Sequence, residues 1–62
     1  DMSKKKMYKA LEFLNELEES IYNKRTKPAD DWDKGYNVAC ENIGFDIRAC
    51  IENIEELFGD LD

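Results

Sequence analysis

The stretch WDKGYNVACENIGFDIRACIENIEELF, residues 32–58, decides the fold. Its apolar residues are Trp32, Tyr36, Ala39, Cys40, Ile43, Ile47, Cys50, Ile51, Ile54, Leu57 and Phe58. They recur at steps of three and four, the spacing of one face of an α-helix. Gly35 and Gly44 fall inside the stretch, and a helical glycine costs about 1 kcal/mol relative to alanine. Neither glycine shifts the phase, since Ile43 and Ile47 keep a four-residue step across Gly44. The pattern predicts one helix over about 29–58, ended by Gly59 as a C′ residue. The alternative is a break at Gly44, which would give a three-helix monomer.

Upstream, Pro28 marks a connection. Proline pushes the preceding residue out of the α region and suits the first turn of a new helix. Asp30, Asp31 and Asp33 follow it, and acidic groups favour a helix N-terminus. Before the connection, Met7, Ala10, Leu11, Leu14, Leu17 and Ile21 form a second stripe at helical spacing. It predicts a first helix over about 3–24 with Ser3 as N-cap, and a connection over 25–28. The chain thus reads as a single all-α domain over 1–62, an antiparallel two-helix hairpin. Met2 reads as the native start, with Asp1 an addition ahead of it.

Composition narrows the function. The chain has 62 residues, 39% of them charged, with a net charge of −6 and no histidine. Lack of histidine excludes Ser-His-Asp and Cys-His nucleophiles and any His-ligated metal. Cys40 and Cys50 lie ten residues apart on the predicted second helix. Ten helical residues span about 15 Å, too far for a disulfide. Unpaired thiols and no apolar signal core lead to an expectation of a reducing cytoplasm. No CxxC spacing is present, and no apolar run approaches the roughly 20 residues of a membrane span.

Charge is unevenly divided. Residues 1–27 hold seven basic and five acidic groups, and residues 28–62 hold two basic and ten acidic groups. In an antiparallel hairpin, Lys4, Lys5 and Lys6 would fall beside Glu55, Glu56 and Asp60. Lys24, Arg25 and Lys27 would fall beside Asp30, Asp31 and Asp33. The ExxE pairs Glu16/Glu19 and Glu52/Glu55 resemble the magnesium motifs of all-α nucleotide pyrophosphohydrolases. By periodicity they fall on polar faces here, so the expectation is a solvated surface, with no catalytic residue, cofactor or metal.

Two stripes this wide cannot cover each other within one hairpin. The usual remedy is a dimer forming a four-helix bundle, so a homodimer is expected. In length, hairpin plan and acidic tail the chain resembles the Rop-type dimeric RNA-binding hairpins. That resemblance implies RNA binding by the outer faces of the first helices, with Phe13 in the place of the central aromatic. Glu12 and Glu16 beside it depart from the pattern, and nucleic acid is not the expected partner.

A further face is visible on the second helix. Val38, Phe45 and Ala49 project away from the main stripe, among Asp31, Lys34, Glu41, Arg48, Glu52 and Glu56. An aromatic anchor with an acidic rim suits a basic protein partner. The candidate partner-binding residues are Val38, Glu41, Phe45, Ala49, Glu52 and Glu56. The expected function is a small acidic, non-catalytic protein-binding regulator or inhibitor. Its profile fits phage- or plasmid-encoded modulators that act on host machinery by nucleic-acid mimicry, the partner being a basic nucleic-acid-binding protein. The alternatives are a Rop-like RNA-binding dimer and a structural oligomerisation module.

Overall fold

The computed structural model describes residues 2–61, and the side chains of residues 3–59. Two helices account for most of it: α1 over Met2–Tyr22 and α2 over Asp31–Leu61. They pack against each other as a hairpin. Helix α2 runs unbroken through Gly44, so the three-helix alternative is excluded.

The helix ends differ from expectation at four points. Ser3 lies inside the first turn of α1 rather than capping it. Helix α1 stops at Tyr22, two residues early, and the chain tightens there into three-residue turns: the Lys24 N–H donates to the Ile21 carbonyl at 3.1 Å and the Arg25 N–H to the Tyr22 carbonyl at 3.2 Å. Helix α2 begins at Asp31 rather than Ala29, because Asp30 is its cap. The Asp33 N–H donates to Asp30 Oδ1 at 2.9 Å, and the Asp33 carboxylate accepts from the Ala29 N–H at 3.0 Å. This reciprocal arrangement resembles a capping box, with the return bond one residue further out. Finally, Gly59 does not end α2. It stays helical, and no glycine has a positive φ.

The two helices are unequal, at 21 and 31 residues. At 1.5 Å per residue, α2 overhangs α1 by about 15 Å. Tyr22, the last residue of α1, stands over Gly44, where an added Cβ would overlap its ring. The earlier turns of α2 therefore face only the connection. Asn37 holds that connection in place with both ends of its amide. Its Nδ2 donates to the Thr26 carbonyl at 2.7 Å, and its Oδ1 accepts from the Thr26 N–H at 2.9 Å.

The buried core is small. Leu11, Ile51 and Phe58 form its centre, with Met7, Leu14, Ile47 and Ile54 packed around them. Tyr8 meets Phe58 edge-on, with ring centroids 5.6 Å apart. Cys40 is also buried, under the connection end of the hairpin. The rest of the long stripe is not covered. Trp32, Tyr36, Ala39, Ile43, Cys50 and Leu57 are exposed, with Trp32 at 72% and Leu57 at 62%. Cys50 shares the apolar stripe with Cys40 but is exposed where Cys40 is buried; both are free. The physical reason is geometric. One helix covers only an arc of its neighbour, and α1 is too short to reach the first turns of α2.

The expected ion pairs are also rearranged. Asp30 and Asp33 are engaged in the cap, Asp31 lies 3.8 Å from Lys34, and Arg25 turns to Glu41 at 3.5 Å. Asp60, expected near the first lysines, has a side chain outside the described residues, as does Asp1.

Candidate protein-binding face

The hairpin has two unlike broad faces. On one lies an apolar groove of about 560 Å³ between the helices, lined by residues such as Ala10, Leu14, Ile54 and Leu57. On the other lies a groove of about 530 Å³ beside Tyr8 and Asn15, flanked by Glu12 from α1 and Glu55 from α2. The candidate residues belong to this second, acidic side.

At 3.6 residues per turn, Val38, Glu41, Phe45, Ala49, Glu52 and Glu56 share one side of α2. All are exposed except Glu41, which is half-buried. Phe45 is 61% exposed, but its ring is braced by Tyr22, at 6.3 Å between centroids and an interplanar angle of 63°. Tyr22 is itself held by a cation–π contact, with the Arg25 guanidinium 5.1 Å from its ring centre. Arg25 Nε donates to the Tyr22 carbonyl at 2.9 Å, and its guanidinium reaches Glu41. A chain of contacts thus joins Phe45, Tyr22, Arg25 and Glu41. The anchor aromatic stands on a supported base instead of swinging free on a helix surface.

Arg48 does not belong to the outer rim where the sequence placed it. It faces α1 and forks onto Glu18, with Nε at 2.8 Å from Oε2 and Nη2 at 2.5 Å from Oε1, and it also donates to Asn15 Oδ1 at 2.9 Å. The fork between two planar groups is the strong form of an ion pair. The Arg48 hydrogen bond holds the Glu18 carboxyl below the usual carboxylate range, and Glu18 raises Arg48 in turn. Glu52 and Glu55 add to the field that keeps Arg48 charged.

With Arg48 neutralised across the interface, the face it borders is left more acidic. Sequence reading confined that face to α2. The hairpin adds exposed Glu12, Glu16 and Glu19 from α1, all on the same side by helical position. These residues were visible as a polar face of the first helix, but joining the two faces requires the antiparallel pairing. Lys9 offsets part of the charge, at 3.2 Å from Glu12 and 5.3 Å from the Phe13 ring centre. The ExxE glutamates Glu16, Glu19, Glu52 and Glu55 are exposed. Among the described residues no group of three or more acidic or cysteine side chains is close enough to hold a metal ion. Among the described residues no helix is long and apolar enough to cross a membrane.

Comparison with protein-family models, curated proteins and solved structures finds no match.

Proposed function

We propose that this chain is a small, non-catalytic protein-binding regulator that presents an acidic helical face to a basic partner. The observation that carries this reading is the braced, exposed Phe45 set among carboxylates drawn from both helices. Carboxylates distributed along a rod can occupy positions where a basic channel expects phosphates. They would steer the encounter, and Phe45 would supply buried apolar contact once docked. The partner that fits is a basic nucleic-acid-binding protein, and the action is inhibition by occupying its channel. The size and charge suit a phage- or plasmid-encoded modulator of host machinery. Two thiols left unpaired on one helix suit the cytoplasm.

The test is a pull-down from lysate with mass spectrometry, run in parallel on wild type, Phe45→Glu, and a triple Glu41→Gln, Glu52→Gln, Glu56→Gln variant. The expected result is a basic partner captured by wild type, lost with Phe45→Glu, weakened in the triple variant and released by rising salt. A partner retained by all three overturns the reading. A salt-sensitive shift of RNA by the purified chain also overturns it, in favour of the Rop-like alternative.

A further inference from the structure

The apolar face opposite the acidic one has a feature that specifies its occupant. Its exposed seam on α2 runs through Tyr36, Ala39, Ile43, Cys50 and Leu57, with half-buried Ile54 along its inner edge. At 3.6 residues per turn these six fall within an arc of about 60°. The seam is also symmetric along its length. Tyr36 with Leu57, Ala39 with Ile54, and Ile43 with Cys50 are each centred on the same point, between Asp46 and Ile47. A helix laid antiparallel on an identical helix at that register would set each member of a pair against the other.

We propose that a second copy of this chain occupies the apolar face, with α2 antiparallel to the partner's α2 about a two-fold axis near Asp46 and Ile47. Three further observations favour a second copy over an unrelated protein. The first is the size of the face. The molecule measures 50 × 16 × 10 Å, and the seam from Tyr36 to Leu57 runs about 30 Å along it, enough for a helix-on-helix contact of about six turns. The second is the core. Only Leu11, Cys40, Ile51 and Phe58 are buried hydrophobics among the described residues. A hairpin with so small a core is marginal with its apolar face bare, and its own copy is always present where it is made. The third is the overhang. The first turns of α2 extend past Tyr22, and in the antiparallel register they lie over the second half of the partner's α2. The overhang left bare in one chain thus becomes buried surface in two.

This assembly is staggered compared with the four-helix bundle expected from the width of the two stripes. Each α1 covers the second half of its own α2, so the two α1 helices sit toward opposite ends. The acidic faces point outward on both sides. The interface does not depend on the proposed function, which lies on the other face.

Two measurements test it together. Light scattering coupled to size exclusion should give about twice the 7.3 kDa chain mass at tens of micromolar. Leu57→Glu should lower that mass, and the triple glutamine variant should leave it unchanged. In the second measurement, Ile43→Cys places a thiol opposite the partner's native Cys50. Mild oxidation should then give a covalent dimer on a non-reducing gel, lost again when Cys50→Ser is added. Residues 43 and 50 of one chain are about 10 Å apart along the helix, too far to pair within it. A monomer mass at these concentrations would overturn the proposal and leave the face to a different protein. A dimer in which Ile43→Cys forms no crosslink would overturn it equally, because the helices would then pack in another register. Partner capture lost while the dimer persists would count against the acidic-face reading alone.

Discussion

Gly44 and Tyr22 show what a single residue decides here. In sequence, Gly44 reads as a cost to the helix or as a break in it. In the fold it is the point where α1 ends against α2, because the Tyr22 ring lies where a side chain would be. Gly35 and Gly59 have nothing within 4 Å of an added Cβ. Gly35 and Gly44 should therefore respond in opposite directions. Gly35→Ala should stabilise the fold by about 0.5–1 kcal/mol through helix propensity alone. Gly44→Ala should destabilise it, since Tyr22 must leave and Phe45 loses its brace. Thermal unfolding of the two variants measures both signs. The clash could not be read from the chain, because it depends on which residue of α1 arrives at Gly44. That arrival is set by the length of the connection and the Asn37 clamp on Thr26.

At the scale of elements, the two helices, their antiparallel order and the continuity of α2 were legible in the apolar spacing. Their ends were less so. Helix α2 starts two residues beyond the expected start, at Asp31 behind its Asp30 cap, because Pro28 and Ala29 stay in the connection. The polar ties between elements were not legible at all. Periodicity assigns Arg48 to the outer side of α2, yet a long guanidinium stem reaches back to Glu18 and Asn15. That pair makes a pH prediction. The carboxyl of Glu18 is lowered in the folded chain by its hydrogen bond to Arg48. Its contribution to stability is therefore complete above the usual glutamate value and disappears as pH falls through the lower folded value. Denaturant midpoints of wild type and Glu18→Gln should differ at neutral pH and converge in acid, below the ordinary range for a glutamate. A gap that persists unchanged into strong acid would show that the pair contributes by shape and not by charge. The Asn37 amide makes a second test at this scale. Asn37→Ala should release the connection, costing about 1–2 kcal/mol for two lost hydrogen bonds, and amide exchange at Thr26 should speed up.

Taken whole, the molecule is a thin slab with one apolar and one acidic side. The sequence displayed both sets of residues, and Val38, Glu41, Phe45, Ala49, Glu52 and Glu56 share one side of α2. What the sequence could not display was the division of the apolar stripe into a covered part and a bare part. That division follows from the limited arc that one helix covers on another and, in the first turns of α2, from the shorter α1, and it makes Cys50 a natural reporter. Cys40 is buried within one chain, whereas Cys50 stands exposed in the bare seam. The most direct measurement is the labelling rate of each thiol by Ellman's reagent across a dilution series, assigned with Cys50→Ser. If a second copy covers the apolar face, Cys50 should react slowly at tens of micromolar and speed up on dilution, while Cys40 stays slow in the folded chain throughout. Fast labelling of Cys50 at every concentration would contradict the account.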